Sequence, residues 1–330
     1  DAPEDSIPRS IAWWNGREHS WYPLRMLFRY TYHGGTWIDL EHPTEEEVQR
    51  IARECSLSQR LATELSTPTP TPLVASDSGV TFLVLHFPTR GATDGEIRDQ
   101  EIDFVIGENV IITVRYEVVA SLHRLRKVLE TQQLIAPHGA MTTDVLLEVL
   151  FTHLYTSVRD HINQASENLA RIERDMFNGK ERTTVRAISD ASREFLHVEA
   201  SLANQEGPLD RFLRALSAKG AFGATFGERA ERILAEHAQV ARLAKTYRAV
   251  ATELRETNAA LLEARQNEIM KTLTVITFGV LPLELIALIF GMHELGTPLE
   301  NNPEAFWIVL AFMFGIGGIM MVFFARRRWL

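Results

Sequence analysis

The sequence is poor in cysteine and lacks the common motifs of nucleotide and protease chemistry. Cys55 is the single cysteine of the 330 residues, so neither an internal disulfide nor a cysteine-based metal cluster can form. A net charge of −9 argues against nucleic acid as a general partner. The chain has no GxxxxGK[ST] loop to cradle phosphates, and no histidine pair at i, i+4 spacing encloses a glutamate. We therefore predict that the protein is not an enzyme, uses no ATP and holds no covalently bound cofactor.

Charge is almost absent from two long segments near the C-terminus. Residues 273–292 form a run of 20 residues with one ionisable group, Glu284, and residues 306–324 form a run of 19 residues with none. At about 1.5 Å per residue, a helix of either length crosses the roughly 30 Å hydrocarbon core of a bilayer. The alternative is a pair of buried helices in a soluble core, but two adjacent runs of this length are hard to bury there. The pattern predicts two transmembrane helices.

The charges beside these runs predict their orientation. Lys271 precedes the first run and three arginines follow the second, whereas the loop at 293–305 contains Glu294, Glu300 and Glu304 but no lysine or arginine. Cytosolic flanks carry the excess of basic residues in membrane proteins. We therefore predict that both termini lie in the cytosol, that the acidic loop lies outside, and that the chain is inserted in the inner (plasma) membrane.

The residues up to position 135 predict a cytosolic α/β domain. Alternating or short apolar runs are typical of strands, which we expect at 24–32, 36–40, 80–87, 101–106 and 109–115. Thr44 is placed to cap a helix, and the three glutamates that follow it suit the positive end of the helix dipole. We expect this helix to reach Cys55 and a second short helix to follow it.

From Thr142 onward the apolar period changes to 3.6, which predicts long helices. We expect helices at about 142–176 and 183–203, a break at Gly207-Pro208, and a flexible joint made by Gly220, Gly223 and Gly227. A single helix at 228–291, about 64 residues and roughly 95 Å long, would then run from the cytosol into the membrane. These elements define a helical stalk and funnel at 136–272 and a transmembrane domain at 273–330.

The cytosolic half of this long helix carries an apolar seam at heptad spacing. Its members are Ile233, Val240, Tyr247, Leu254 and Leu261, with Ala230, Ala244 and Ala251 between them. A helix of this length is not stabilised by its own propensity, so it must pack on other helices. The partners are either the 142–203 helices of the same chain or other copies around an axis, and both arrangements can hold together.

The residues around the first apolar run resemble a known family. The segment at 266–274, the Pro282-Leu283 pair and the triplet at 290–292 strongly resemble the first membrane span of the CorA family of divalent-cation channels, which includes the zinc transporter ZntB. The basic C-terminus at 326–330 is similar as well, and the CmaX-like branch of the family is also similar. Weaker similarity extends upstream over 37–46, 82–86 and 110–114.

The resemblance implies an α+β membrane protein that assembles as a homopentamer in the lipid bilayer. The first span of each subunit would line a central pore, and the second span would form an outer ring. The N-terminal α/β domain would feed a funnel made by the long helix. The family's Gly-Met-Asn signature at the outer pore mouth is altered here to Gly291, Met292 and His293.

Five copies around an axis would turn one stripe of the long helix inward. With Asn267 and Met270 taken as inward-facing by the resemblance, helical steps predict further pore-lining residues: Thr274, Thr277, Leu281, Glu284, Leu288 and Gly291. The same steps backward give the acidic funnel residues Glu253, Glu256 and Glu263, for which a solvated helix face is the alternative. Rings of charge attract cations, and apolar constrictions can gate by dewetting.

Two residues depart from the family pattern, and we predict both as metal ligands. A carboxylate near the membrane midplane, such as Glu284, is costly and faces either the pore or a subunit contact. Five such carboxylates repel one another, so we expect a cation site or a protonation-sensitive gate there. The imidazole of His293 is a good direct ligand for Zn²⁺, whereas an asparagine amide suits the water shell of Mg²⁺. A histidine that only folds the loop is the alternative.

These observations predict a divalent-cation channel or transporter in which zinc is favoured over magnesium. The acidic loop residues Glu294, Glu300 and Glu304 would raise the cation concentration at the outer mouth. Two alternatives stand beside this prediction. One is a magnesium channel of the ordinary CorA type, and the other, from a different class, is a membrane sensor or scaffold that does not conduct.

Overall fold

The computed structural model describes residues 26–77, 79–90, 97–135, 141–220, 222–223, 225–291 and 304–326. Contacts divide the chain into two compact units. The sheet unit comprises Asp1–Ile162 and His197–Ala244, and the span unit comprises Asn163–Leu196 and Lys245–Leu330. The limits of the two units fall inside the long helices, and the domain boundaries at 135 and 272 stay predictions.

The described part of the sheet unit contains one mixed sheet of six strands in the order β1-β2-β6-β5-β4-β3. β2 and β6 are parallel, and the other neighbouring pairs are antiparallel. The strands are β1 (Met26–Tyr32), β2 (Gly35–Glu41), β3 (Leu73–Asp77), β4 (Val80–Arg90), β5 (Ile97–Ile106) and β6 (Val110–Arg115). The five predicted strands are confirmed over the described residues, with small differences at their ends, and positions 24–25 of the first predicted strand lie outside the described residues. β3 was missed because it is a short edge strand whose side chains stay mostly half-buried, so its sequence shows little apolar alternation.

The first helix, α1 (Glu45–Glu54), begins as the sequence predicts. The backbone N–H of Glu47 donates to the Thr44 hydroxyl over 3.2 Å, and the N–H of Thr44 donates to the Glu47 carboxylate over 2.8 Å. This reciprocal capping box satisfies two amides that the helix itself leaves free. Val48 and Ile51 are each 1% exposed, and burying such a side chain contributes about 1.5–3 kcal/mol. The short helix α2 (Gln59–Glu64) follows, as predicted.

A buried ionic network joins β2 to β6. Arg115 is fully buried and donates to Asp39 over 2.9 Å and to Glu41 over 2.6 Å. Asp39 also accepts the Thr113 hydroxyl at 2.6 Å. Arg126 lies 3.4 Å from Asp39, so two carboxylates meet two guanidinium groups. This balance of charge allows four ionic groups to be removed from water together.

Two helices follow the last strand of the sheet. α3 (Ala120–Ile135) has no counterpart among the predicted elements; it buries Leu122, Leu125 and Leu129. α4 (Thr143–Asp175) matches the helix predicted at 142–176. Its apolar residues at the predicted 3.6 period, such as Leu150 and Leu154, are almost completely buried.

The predicted break at Gly207-Pro208 is wrong, because α5 (Glu181–Lys219) continues through both residues. A proline inside a helix costs about 3 kcal/mol, chiefly through a lost hydrogen bond and a steric clash. Proline also disfavours a helical backbone at the residue before it. Gly207 avoids most of this cost, because it has no Cβ to clash with the proline ring. Leu209, Phe212 and Leu213 beyond the proline are at most 1% exposed, and their burial offsets the remaining cost.

The last two helices are α6 (Phe226–Gly291) and α7 (Ala305–Arg326). The uninterrupted helix predicted at 228–291 is confirmed. Gly220 and Gly223, with φ of 65° and 75°, lie in the joint before it, as predicted. Gly227 belongs to the helix instead, because α6 begins at Phe226, whose side chain is 1% exposed.

The apolar seam of α6 packs inside the chain. Ile233, Val240, Ala244, Ala251 and Leu254 are all buried. In the span unit, Tyr247 stacks on Phe195 of α5 with ring centroids 5.7 Å apart. These contacts confirm the intramolecular reading of the seam, and self-association around an axis remains a separate proposal.

Candidate ion pathway

The two apolar helices lack the burial of a soluble core. In α6, the most apolar 18-residue window is 0% buried, and in α7 the corresponding window is 6% buried. Leu288 is 66% exposed and Phe314 is 74% exposed. A soluble protein does not leave two such surfaces in water. The alternative of a buried helix pair is therefore wrong, and both helices are membrane spans.

One side of α6 within the membrane faces α7. Val275, Gly279 and Leu283 follow at intervals of four residues and line an apolar cavity of about 660 Å³ between the two helices. Gly317 and Gly318 belong to the α7 wall of this cavity. Apolar walls offer no ligand to an ion that has shed water. A cation pathway along α6 therefore needs another side of the helix.

The predicted pore-lining residues occupy the opposite side. At about 100° per residue, Leu281, Glu284 and Leu288 point roughly 140–200° away from Gly279. We call this side the exposed stripe; its exposed members are Asn267, Met270, Thr277, Leu281, Glu284, Leu288 and Gly291. Thr274 lies on the same side and is half-buried. No described residue of the chain outside α6 is needed to form this surface.

The threonines of the stripe satisfy their hydroxyl protons within the helix. Thr274 donates to the Met270 carbonyl over 2.8 Å, and Thr277 donates to the Leu273 carbonyl over 2.9 Å. A hydroxyl that donates in this way keeps its oxygen lone pairs available. Each threonine therefore presents an acceptor oxygen to whatever lies along the stripe.

Before its membrane span, α6 carries an acidic face. Glu253, Glu256 and Glu263 are exposed, whereas Leu254 and Asn258 on the other side of α6 are buried. The three carboxylates thus form a charged face directed away from the packed seam. In a single chain this face is a solvated helix surface. It would line a funnel only if several copies meet around an axis.

Polar contacts with α5 fix the rotation of α6 in this region. The Asn258 side chain is 3% exposed, donates to the Glu181 carbonyl over 3.1 Å, and accepts the Thr184 hydroxyl at 3.3 Å. Two turns further on, Arg265 Nε lies 3.1 Å from the Glu181 carboxylate. Turning the helix would break these bonds and leave buried polar groups unpaired.

Sequence reasoning missed these positioning residues, although one signal was present. An asparagine at position 258 interrupts the apolar seam four residues after Leu254. Single polar residues in such seams specify register in packed helices. Its partners, Glu181 and Arg265, lie on ordinary charged faces and carry no signal of their own.

The loop between the two spans falls largely outside the described residues. Met292, His293, Glu294 and Glu300 belong to this segment, and Glu304 is the described residue just before α7. Among the residues that the structure describes, no group of three or more His, Cys, Asp or Glu side chains is placed to hold a metal ion. The predicted ligand set of His293 and Glu284 therefore stays a prediction.

In the sheet unit, arginines rather than metal ligands tie the start of α6 to α4. Arg229 lies 2.8 Å from Asp144 and 2.6 Å from Glu148, and Arg232 lies 2.6 Å from Glu148. The hydrogen bond from Arg232, supported by Arg229, holds the pKa of Glu148 below its usual range. Glu148 is thus an ionised partner of two arginines.

A mixed-sheet unit, long helices and two apolar C-terminal helices define a two-span membrane protein with a large part outside the bilayer. The chain belongs to the CorA-like Mg²⁺ transporter protein family, whose model matches residues 32–327. The resemblance seen in the sequence is therefore confirmed.

One relative and three solved structures illustrate the match. The cobalt/magnesium transport protein CorA of Methanocaldococcus jannaschii is 24% identical over 299 residues, which cover 89% of this chain and 91% of that protein. The complete structure of the CorA magnesium transporter from this organism has a TM-score of 0.76 at 22% identity, covering 90% of this chain and 92% of the other. The full-length CmaX protein has a TM-score of 0.58 at 18% identity over 89% of each chain. The cytoplasmic domain of ZntB from Vibrio parahaemolyticus also has a TM-score of 0.58, at 10% identity, covering 70% of this chain and 88% of that domain. These structural likenesses establish the fold.

Proposed function

We propose that the protein is a divalent-cation channel of the inner membrane, in which the exposed stripes of five α6 helices surround the pathway. The observation that carries the proposal is the position of Glu284. Its carboxylate lies within a membrane span, on the side of α6 opposite α7. Because a carboxylate exposed to lipid is costly, an aqueous axis between subunits is the favourable environment for it.

The number of subunits comes from the family resemblance. A ring in which each copy meets the next through the same pair of surfaces closes without leaving an exposed face. In such a ring α6 would be the inner helix and α7 the outer one. α7 has no Asp, Glu or Lys between Phe306 and Phe324, which suits a helix that faces lipid.

The stripe offers a sequence of environments suited to cations. The glutamates of the cytosolic part would attract them, and the threonine oxygens would accept hydrogen bonds from their water shells. Met270, Leu281 and Leu288 would form apolar rings that close the pathway when water leaves them. The Glu284 ring would bind a cation between two of these constrictions.

The choice of ion rests on one residue at the outer mouth. His293 supplies an imidazole nitrogen where the family has an asparagine amide, and imidazole suits Zn²⁺ as a direct ligand. We propose zinc as the preferred cargo on this ground. Magnesium is the second candidate, because the Methanocaldococcus jannaschii relative is named a cobalt/magnesium transport protein.

The orientation follows from charge. The basic residues beside the spans would lie in the cytosol, and Glu294, Glu300 and Glu304 would lie outside, where they concentrate cations. Uptake of cations would then be weakened by high salt, since exposed charges are screened.

Cation flux into proteoliposomes tests the proposal. Purified protein would be reconstituted with separate trapped dyes for Zn²⁺ and Mg²⁺, and the wild type compared with His293→Asn and Glu284→Thr. Ile276→Thr is a matched control, because Ile276 is 56% exposed but lies outside the stripe. Zinc flux that falls in the first two variants and persists in the control supports the proposal. Magnesium flux that ignores His293 returns the function to the second candidate, and no flux of either ion from a folded oligomer overturns transport.

A further inference from the structure

The turn between α4 and α5 exposes an aromatic side chain among basic residues. We call residues 171–186 the basic turn; it carries five basic and three acidic residues in a chain whose net charge is −9. Phe177 at its centre is 61% exposed. Of the three acids, Glu181 is buried against Arg265, and Asp175 pairs with Lys180 over 2.8 Å. The surface that this turn presents is therefore basic, and it carries two exposed apolar side chains, Phe177 and Val185, the second of which is 48% exposed.

Contacts within the span unit show which way the basic turn points. Along α5 toward the turn, Phe195 meets Tyr247, Thr184 meets Asn258, and Glu181 meets Arg265. The partners on α6 thus advance toward the membrane span as α5 approaches the turn. At Gly179, an added Cβ would lie 3.1 Å from the Arg265 guanidinium, so the turn itself reaches this level.

The distance from this level to the bilayer is short. Arg265 precedes Leu273, the first residue of the apolar run, by eight residues, which is about 12 Å along a helix. The headgroup layer occupies about 5–8 Å of that distance on each side of the hydrocarbon core. The remaining gap between this level and the headgroups is shorter than the Debye length, which is about 8 Å at physiological salt. The charges of the basic turn and the headgroups therefore act on each other.

We propose that the basic turn docks on anionic lipid headgroups at the membrane face where α6 enters. Phe177 would lie in the interfacial layer, where aromatic side chains are favoured, and Arg174 and Arg182 would meet lipid phosphates. Docking would anchor the hairpin that holds Asn258 and Arg265 of α6, independently of which ion is carried. A second copy of this acidic chain would also attract a basic turn, so it is the short distance from the turn to the headgroup layer that favours lipid.

Spin-labelled lipid provides a direct test. In a Cys55→Ser background, Asn178→Cys would place an environment-sensitive fluorophore beside Phe177 without removing it. The full-length protein would be inserted in nanodiscs of phosphatidylcholine with or without phosphatidylglycerol, each containing lipid that is spin-labelled near the headgroup. Leu196→Cys is the matched control, because Leu196 is 45% exposed but lies on α5 well away from the turn.

We expect quenching of the label at 178 that grows several-fold when phosphatidylglycerol is present, and no lipid-dependent quenching at 196. The growth should be lost in Phe177→Ser and in Arg174→Gln with Arg182→Gln, with circular dichroism and gel filtration confirming that each variant folds. Equal quenching in both lipids would overturn the proposal, as would no quenching in either. Protection of the label from aqueous iodide in detergent, without lipid, would instead assign the turn to a contact with a second copy.

Discussion

At the scale of single residues, we expect the largest loss of stability from substitutions in the buried ionic network of β2 and β6. Replacing Asp39 by Leu would leave Arg115, which is 0% exposed, with one carboxylate fewer. Breaking a buried pair in this way costs about 3–5 kcal/mol. We therefore expect Asp39→Leu to lower the unfolding temperature strongly in detergent. The double change Asp39→Leu with Arg115→Met should recover part of the loss, because Glu41 and Arg126 then remain as a balanced pair.

If the double variant is no more stable than Asp39→Leu, the unpaired guanidinium of Arg115 is not the cause of the lost stability. The measurement is the apparent unfolding temperature of all three proteins in the same detergent and salt. Arg126 has a further contact with the Phe28 ring at 4.5 Å, which should persist in each variant.

Residues whose partners are local could be predicted, and those whose partners are distant could not. Thr44 was identified as a cap because its partner, Glu47, is three residues away. Asp39 and Arg115 are 76 residues apart and meet only through the parallel pairing of β2 with β6. No pattern within either segment states that pairing. For the same reason Glu284 was singled out by its apolar neighbours, whereas Glu181 and Arg265 were not.

At the scale of elements, the packing of α5 against α6 in the sheet unit depends on an uncharged histidine. His237 is 4% exposed, donates from Nε2 to the Leu202 carbonyl over 2.9 Å and meets the Tyr155 ring edge-on. Burial lowers the pKa of His237, although the Leu202 carbonyl and Glu206 act weakly in the opposite sense. His237 is therefore harder to protonate in the folded protein than in the unfolded chain, where its pKa is about 6.5.

This difference predicts a loss of stability on acidification. As the pH falls from the unfolded pKa of about 6.5 toward the lower folded pKa, His237 lowers the free energy of unfolding by up to about 1.4 kcal/mol per pH unit. We expect the unfolding temperature of the wild type to fall more than that of His237→Gln between about pH 7.5 and about pH 5.5. Equal falls would show that His237 contributes no pH dependence. Other titrating groups, such as His86, whose pKa is raised by Glu101, are present in both proteins, so their effects cancel in the comparison.

Two glycines test the boundaries of elements. Gly227 lies inside α6 with nothing within 4 Å of an added Cβ, whereas Gly179 has a φ of +88° and an added Cβ would meet Arg265 at 3.1 Å. An alanine in a helix gains about 0.5–1 kcal/mol over glycine, and a side chain at positive φ loses about 1–2 kcal/mol. We expect Gly227→Ala to raise the unfolding temperature and Gly179→Ala to lower it. A fall in Gly227→Ala would place this glycine in the flexible joint that the sequence predicted.

The elements were predictable where one periodicity persisted over many residues. The long α6 and the two spans have strong, sustained patterns, so their existence and type followed from the sequence. α5 was cut short at Gly207-Pro208 because local propensity favours a break there, and the burial of Phe212 and Leu213 overrides it. β3 and α3 have weak patterns of their own and form through contacts with neighbours.

At the scale of the whole molecule, the proposed assembly around an axis would link the exposed stripe to transport. Five copies would have a mass of five times 37.4 kDa, or about 187 kDa, which native mass spectrometry from detergent can measure. A stable assembly of another size would contradict the pentamer, while leaving the family and the two spans as they are.

The stripe itself is tested by its access to water while cations flow. In a Cys55→Ser background, we expect a bulky cationic thiol reagent to block flux through Leu288→Cys, because Leu288 would face the pathway below the outer mouth. The same reagent should leave Ile276→Cys unaffected, since that residue is similarly exposed in one chain but lies toward the α7 side of the helix. Adding Zn²⁺ should slow the modification of Leu288→Cys by occupying the Glu284 ring one turn away and repelling the reagent. Block at position 276 with none at 288 would mean that α6 presents a different side to the axis, and the pathway would have to be redrawn around Ile276.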